Sequence, residues 1–254
     1  MNISQIEQKI RESEPLDFGS IFNRSTELFK EVWLQGFLTL LLSFTFLFLW
    51  YLISIVPFFG FGVFVDPQTL EQSNTISFAM FSLLLLIYPL LFFGAGIIFL
   101  LLEAGFLRIC RLKDLKKIGS DDYFYYFKKQ YLKKALMLIL IIFCLNIVGF
   151  LACGLGMFYL IVPISLFTSF LAFEEELTAM EIARASFQLG NKNWITILGL
   201  LFVVGIVAQL GFILCFVGAF FTLMLQKIPA YYIYKDSIGF LDNGEIELKR
   251  LHNL

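Results

Sequence analysis

Histidine is almost absent from this sequence of 254 residues, and the single one, His252, lies near the carboxyl end. One histidine excludes a metal site built from histidines, and its position in a chain end disfavours a role as general base. The motifs of phosphate-binding loops, dinucleotide folds, HExxH zinc sites and GxSxG nucleophiles are also missing. We therefore expect no catalytic residue, no metal site and no cofactor.

Charged residues are scarce as well, at 15% of the chain, whereas soluble domains carry about a quarter. Apolar residues make up 59%, the mean hydropathy is +0.83, and 32 residues are phenylalanine. Phenylalanine side chains can lie against lipid chains at no cost in hydration. The composition therefore predicts an integral membrane protein, and the net charge of −1 points to no nucleic-acid partner.

Cysteine is limited to four scattered positions without a CxxC pair: Cys110, Cys144, Cys153 and Cys215. We interpret them as small apolar packing residues rather than as a disulfide framework or a metal site. The first 30 residues are polar and lack the pattern of a cleavable signal peptide. The first spanning helix is therefore expected to direct membrane insertion.

Four long stretches contain no charged residue, and they define the predicted spanning helices. A helix needs about 20 residues to cross a bilayer, so the first two stretches hold one helix each and the last two fold back. We place the turns at Gly154–Gly156 and at Gln209–Phe212. The predicted fold is an all-α, polytopic transmembrane bundle of about six spanning helices in three hairpins, over residues 33–55, 78–102, 134–152, 156–173, 194–211 and 213–233. The alternative is four helices with re-entrant or over-long segments.

The distribution of positive charge predicts the topology. Lysine and arginine accumulate in cytoplasmic segments because they resist translocation. With six spans, all 19 lysines and arginines fall on one side, and the opposite side receives only Asp66 and Glu71. Both chain termini are therefore expected to be cytoplasmic.

Three amphipathic helices are predicted at the cytoplasmic interface, over residues 18–32, 121–133 and 178–190. The third opens with Thr178-x-x-Glu181, which is the pattern of a capping box. The first and third align at an offset of 161, which pairs Ile21 with Ile182, Ser25 with Ser186, Leu28 with Leu189 and Trp33 with Trp194. This pattern indicates three units, each an interfacial helix followed by a transmembrane hairpin. Chance matching in an apolar-rich chain is the alternative.

Two stretches carry a family resemblance: DFGSIFNRSTELFKEVWLQGFLTLLL and IVPISLFTSFLAFEEELTAMEIARASFQLGNKNWITILGLL. The second has a helix with Pro163, an acidic patch at Glu174–Glu176, a short helix at Ile182–Ser186 and the pair Asn193-Trp194. In this layout the chain resembles uncharacterised bacterial six-helix membrane proteins related to the membrane domain of glycerophosphodiester phosphodiesterases. The resemblance implies a six-helix fold in the bacterial cytoplasmic membrane and carries no catalytic residues.

Polar residues inside the predicted spans are few. Asn146 and Gln209 are the candidate intramembrane polar contacts, expected to form hydrogen bonds with neighbouring helices or to touch a substrate. No buried charge is expected at the centre of a span. Glu103 is expected at the inner end of the second span, where it can reach the interface or pair with Arg108, and Lys227 is expected to reach the interface from the sixth.

The segment from Arg108 to Lys134 is the most basic part of the sequence. Anionic headgroups attract each basic residue near the surface by about 1 kcal/mol. Ordinary positive-inside bias is the alternative explanation. The candidate anionic-lipid contacts are Arg108, Arg111, Lys113, Lys116, Lys117, Lys128 and Lys129.

These observations favour a non-enzymatic scaffold, lipid-organising or partner-binding protein of undetermined biochemical activity. The expected partners are membrane lipids and a protein partner or a second copy of the chain, without nucleic acid. The alternative is a transporter or channel for a lipid-like or small uncharged molecule. A third hypothesis, an enzyme acting on lipid, requires Glu174–Glu176 to converge on another polar group in a cleft.

Overall fold

A computed structural model describes residues 1–64, 74–117, 119–152, 154–214 and 222–240. The fold is all-α, and the described residues contain no strand. The helices, in chain order, are α1 (Ile3–Glu12), α2 (Phe18–Phe64), α3 (Asn74–Asp114), α4 (Lys129–Leu151), α5 (Leu155–Phe173), α6 (Ala179–Lys192), α7 (Trp194–Leu214), a 3-10 helix (Leu223–Lys227) and α8 (Ile228–Ser237).

Four helical segments of the described chain are long and apolar enough to cross a membrane: Phe18–Ile53, Ile87–Asp114, Lys129–Leu151 and Leu155–Phe173. A fifth arises if α6 and Trp194–Gln209, which meet at an angle of 92°, together form one broken span. The described residues therefore contain four to five candidate spanning helices, which suggests a multi-pass membrane protein.

The hairpin of α4 and α5 turns where the sequence predicts it. Helix α4 ends at Leu151, and Gly154 precedes α5 with a φ of 77°, a left-handed conformation that glycine adopts without strain. A Cβ added to Gly156 would lie 2.8 Å from the Cα of Gly149. The two backbones therefore approach so closely that only hydrogen fits between them.

The predicted turn at Gln209–Phe212 is wrong, because α7 continues through it to Leu214. Gly211 alone does not end a helix within so apolar a sequence. The predicted sixth helix, 213–233, is also not one element. Its first two residues belong to α7, residues 215–221 lie outside the described residues, and the remainder is the 3-10 helix followed by α8, with Pro229 in the first turn.

The first predicted amphipathic helix is not separate from the first span, because α2 runs unbroken through Val32 and Trp33. No proline, glycine or capping residue interrupts the chain at that point. The second, at 121–133, is also not a helix along its length, since α4 begins only at Lys129. Before it, the Asp122 carboxylate accepts a hydrogen bond of 3.0 Å from the backbone N–H of Phe124. Such local bonds favour turns over helix.

The third amphipathic helix forms as predicted and begins with the capping box of Thr178 and Glu181. The structure also extends the alignment at offset 161. Asp17, which aligns with Thr178, caps α2 by accepting a hydrogen bond of 2.8 Å from the backbone N–H of Ser20. The aligned pairs Ile21 with Ile182, Ser25 with Ser186 and Leu28 with Leu189 are all buried. The two segments are therefore similar in capping and burial.

Helix α6 runs antiparallel to α5 and packs along it, beyond the end of α5 at Phe173. A Cβ on Gly190 would lie 3.3 Å from the Cα of Pro163. One turn further along, the Tyr159 hydroxyl donates to Asn191 over 2.5 Å. The short loop at 174–178 thus forms an antiparallel helical hairpin, and the chain then bends at Asn193 into α7.

Helix α1 covers α6 and was not predicted. Asn2 and Gln5 form a capping box at its start, and Ile6 and Ile10 bury one face. The spacing of these two isoleucines and the Asn2-x-x-Gln5 pattern are signals by which the sequence could have revealed it.

Candidate functional site

An ion pair joins α3 to the 3-10 helix. The ammonium of Lys227 lies 2.5 Å from one carboxylate oxygen of Glu103, and Thr168 donates to the other oxygen over 3.3 Å. The Glu103 side chain is only 4% exposed and that of Lys227 is 37% exposed. The partner of Glu103 is therefore Lys227 and not Arg108, and the Glu103 carboxylate is buried in the protein.

A second polar cluster surrounds Glu174 at the start of the loop between α5 and α6. One carboxylate oxygen lies 2.8 Å from the Met1 ammonium, and the other accepts a hydrogen bond of 2.5 Å from the Tyr234 hydroxyl. Glu176 lies 3.4 Å from the same ammonium and is exposed. These contacts connect α1, α5 and α8 through one carboxylate.

Glu175 is engaged separately, by residues near the start of α4. Its carboxylate accepts hydrogen bonds from the hydroxyls of Tyr131 at 2.7 Å and Tyr125 at 3.3 Å. The centroid of the Tyr125 ring lies 4.3 Å from the guanidinium carbon of Arg108 and 4.3 Å from the ammonium nitrogen of Lys128. Cations held against an aromatic ring in this way are stabilised by its quadrupole.

The three glutamates do line a common pocket of about 160 Å³, together with Met1, Arg111, Phe173, Tyr234, Gly239 and Phe240. The convergence that the enzyme hypothesis requires is therefore present. Glu174 and Glu175, however, have their carboxylates occupied by hydrogen bonds within the protein. Both carboxylates therefore connect separate parts of the fold in this structure.

Tyrosines around these carboxylates are held in the neutral form. Burial, and then the adjacent Glu174 carboxylate, raises the pKa of Tyr234 well above its ordinary value. Burial likewise raises the pKa of Tyr126, whose hydroxyl donates to the carbonyl of Ala172 over 2.6 Å. Both side chains can therefore act as hydrogen-bond donors across a wide pH range, and neither is activated as a nucleophile.

Asp114, the last residue of α3, forms a third cluster with α8. Its carboxylate accepts hydrogen bonds from Tyr231 at 2.6 Å and Tyr232 at 2.9 Å, and it lies 2.5 Å from the Lys235 ammonium. Nearby, Arg24 pairs with Asp236 and lies 4.7 Å from the Tyr232 ring. Tyr231, Tyr232 and Lys235 therefore connect α8 to the end of α3.

The predicted anionic-lipid contacts divide into two groups. Arg108 and Arg111 stack on aromatic rings, the latter 4.1 Å from Phe240, and Lys113 lies 3.8 Å from Asp121. The remaining four are exposed and form no ion pair with any described residue: Lys116, Lys117, Lys128 and Lys129. We call these four the basic rim.

The side chains of Asn146 and Gln209 are both exposed on the surface of the protein and not buried between helices. The Asn146 amide donates to the carbonyl of Ile142 over 2.9 Å, so its hydrogen bond lies within α4 and not between helices as expected. The structure therefore does not bring the two residues together in one interior site.

The cysteines and other potential ligands form no metal centre within the described ranges, where no group of three or more His, Cys, Asp or Glu side chains is suitably placed. Cys110 is buried and Cys144 is exposed, both with free thiols. Cys153 and Cys215 lie outside the described residues.

Sequence reasoning missed the pairing of Glu103 with Lys227, because nothing in local spacing connects positions so far apart. The only available signal was that each is an isolated charge at the edge of an apolar stretch, and two such charges stabilise each other when buried. Comparison of the chain with protein-family models, with curated proteins and with solved structures finds no match in any of the three.

Proposed function

We propose that this chain is a non-enzymatic integral membrane protein that binds anionic phospholipid at the basic rim and acts as a lipid-organising or partner-binding scaffold. The observation that carries the proposal is the exposure of Lys116, Lys117, Lys128 and Lys129 without internal ion pairs. Exposed Phe124 lies between the two lysine pairs in the chain and packs against Phe46 at 5.8 Å. Basic groups beside an interfacial aromatic ring suit the headgroup layer.

The membrane arrangement that we propose has six spans and both termini in the cytoplasm of a bacterial cell, as the resemblance to the phosphodiesterase membrane domain implies. Its support comes from the sequence, because six spans of the predicted lengths would leave all 19 lysines and arginines on one side. The contact of Asn191 with Tyr159, about one turn from the predicted outer turn at Gly154, opposes it and makes a re-entrant segment the competing arrangement. Labelling of single cysteines introduced at Lys117 and at Asp66, in a cysteine-free background, distinguishes the sides. Labelling of both from the same side would contradict six spans.

The non-enzymatic part of the proposal is supported by the acidic pocket. The carboxylates of Glu174 and Glu175 are held by an ammonium and by three tyrosine hydroxyls. A carboxylate that acts as a general base must release such partners to accept a proton from the substrate. Release is unfavourable here, because the same hydrogen bonds hold separate segments of the fold together.

Lipid retention tests the proposal. The purified chain in mixed micelles is titrated with phosphatidylglycerol or phosphatidylcholine, and the bound lipids are counted by native mass spectrometry. We expect the variant with all four rim lysines replaced by glutamine to retain fewer phosphatidylglycerol molecules at low salt. Each basic residue contributes about 1 kcal/mol of attraction, which salt screens.

The matched control is Lys30→Gln, which removes an exposed positive charge on α2 outside the basic rim. It is expected to lose no more than one lipid. Equal retention of both lipid classes by the unchanged protein, or equal counts in the rim variant, would reject the proposal.

Transport is the second candidate, and one observation favours it. The chain bends by 92° between α6 and α7, and the 3-10 helix ends at the buried ion pair of Glu103 and Lys227. Interrupted helices beside polar groups are typical of secondary transporters. Proteoliposomes test it through bilayer translocation of fluorescent lipid, which Lys227→Gln should slow. Translocation equal to that in protein-free vesicles would exclude this function for lipid substrates.

A further inference from the structure

Two open grooves meet beside the last turn of α6, and Asn191 lines both of them. One has a volume of about 630 Å³ and is lined by Ile10, Arg11, Gln188, Asn191 and Lys192. The other has a volume of about 560 Å³ and is lined by Leu155, Phe158, Tyr159, Asn191 and Trp194. Pockets of this size accommodate small organic ligands.

The first groove is positively charged. The Lys192 ammonium is fixed by carbonyl oxygens at the end of α1, at 2.7 Å from Ile10 and 3.1 Å from Arg11. The Arg11 guanidinium is exposed and forms no ion pair with any described residue. Glu7 on the same helix pairs with Arg184 at 2.8 Å and accepts a hydrogen bond from Gln188 at 3.1 Å, and none of the five residues that line the groove is acidic. A positive charge is therefore left for an outside anion.

The second groove is apolar and aromatic. Leu155 is 74% exposed and Phe158 is 64% exposed, so both offer apolar surface to the surroundings. The Trp194 indole donates to the carbonyl of Tyr159 over 3.3 Å, which fixes the ring where α7 begins. An acyl chain can lie along this surface without loss of hydration.

We propose that the joined grooves bind one anionic phospholipid, with its phosphate beside Arg11 and one acyl chain along Leu155, Phe158 and Trp194. A charged groove continuous with an apolar one matches the two ends of such a molecule. An inorganic phosphate would leave the apolar groove empty, and a neutral lipid would leave Arg11 without a partner. The site is separate from the basic rim and does not rest on it.

Quenching of Trp194 fluorescence by lipids with brominated chains tests the site. The sequence contains three tryptophans, so the Trp33→Phe/Trp50→Phe variant retains Trp194 alone. The protein is reconstituted in nanodiscs of neutral lipid that contain a small fraction of brominated phosphatidylglycerol or, in parallel, of brominated phosphatidylcholine. We expect about fivefold enrichment of the anionic lipid beside Trp194, the factor expected from one basic residue at the surface.

Further substitutions in this single-tryptophan variant distinguish a specific lipid site at Arg11 from general attraction of anionic lipid to the basic protein surface. Arg11→Gln should remove the preference for the anionic lipid, and Arg11→Lys should restore most of it. Lys30→Gln, at an exposed lysine of α2 that belongs to neither proposed lipid site, is the matched control and should leave the preference unchanged. Equal quenching by the two lipids, or a preference that survives Arg11→Gln, would overturn the proposal. Loss of the preference in Lys30→Gln would do so as well.

Discussion

The ammonium of Lys227 lies 2.5 Å from the carboxylate of Glu103, whose side chain is 4% exposed, whereas the Lys227 side chain is 37% exposed. Lys227 lies at the end of the 3-10 helix, Glu103 lies on α3, and Thr168 also donates to the Glu103 carboxylate. The ammonium therefore stabilises a carboxylate that would be costly to bury alone.

Removal of either partner is expected to destabilise the protein, but unequally. Lys227→Met leaves the Glu103 carboxylate buried without its cation, at a cost of about 3 kcal/mol. Glu103→Gln should cost less, because Lys227 is 37% exposed and can turn towards solvent. Unfolding by sodium dodecyl sulfate, followed by circular dichroism, measures both.

The double variant Glu103→Gln/Lys227→Met serves as the control, since it combines the two single changes and removes both charges together. It should recover most of the stability lost in Lys227→Met. If the double variant lost the sum of the two single effects, the ion pair would not be coupled.

Alkaline pH is expected to unfold the protein through its buried tyrosines. Burial raises the pKa of Tyr126 and Tyr234 above the value of about 10 found in unfolded chains. Their contribution to stability is therefore fully present below pH of about 10 and is lost as the pH rises through the raised folded values.

Ultraviolet absorbance of tyrosinate follows this titration. A fraction of the ten tyrosines should ionise late, and only as circular dichroism reports unfolding. Tyr126→Phe and Tyr234→Phe should each shrink that late fraction. Complete ionisation of a folded protein at the ordinary pKa would show that these hydroxyls are accessible.

Two glycines in helices should respond to alanine in opposite directions. Gly156→Ala places a Cβ 2.8 Å from the Cα of Gly149. This is a steric clash with backbone, which can be relieved only if one of the two helices shifts. At Gly199 the nearest atom is a Phe18 ring carbon at 3.6 Å, an ordinary contact. Gly199→Ala should therefore stabilise the protein by up to about 1 kcal/mol through helix propensity, and Gly156→Ala should destabilise it. Thermal unfolding in detergent measures the difference, and equal signs would contradict the close approach.

Three buried serines provide a similar contrast. The hydroxyls of Ser25 and Ser186 have no hydrogen-bond partner among the described residues, whereas Ser169 donates to the carbonyl of Ala230 over 3.0 Å. Ser169→Ala should cost about 1 kcal/mol, and the other two alanine variants should be neutral or stabilising. The same unfolding assay compares all three. A clear loss of stability in Ser25→Ala and Ser186→Ala would reveal a hidden partner, such as buried water.

Helix identity was predictable wherever the signal was local. The long charge-free stretches predict helices over α4 and α5, Gly154 predicts the turn between them, and Thr178 with Glu181 predicts the start of α6. These features depend on residues within a few positions of one another. Local signals failed at Gln209–Phe212, where α7 continues, and at 121–128, where side-chain bonds compete with helix.

The candidate sites depended on contacts between distant residues, which spacing does not specify. The sequence predicted a single set of lipid-binding cations. In the structure Arg108 and Arg111 stack on aromatic rings and Lys113 pairs with Asp121, whereas the four lysines of the basic rim are exposed and form no ion pair with a described residue, although Lys128 lies over the Tyr125 ring. Asn146 looked like an interior residue by its position in an apolar stretch, yet it faces outwards. A helix that is apolar around its whole circumference has no sequence pattern that marks one face as buried. The buried face is set by the helices that pack against it.

Composition and the length of the charge-free stretches are enough to predict a helical chain that is apolar enough to cross a membrane several times. They do not predict that α1 packs against α6, that α6 returns along α5, or that Glu103 meets Lys227. Burial and ion pairing depend on distance in space, so in a chain with few charges these contacts arise only when the helices pack.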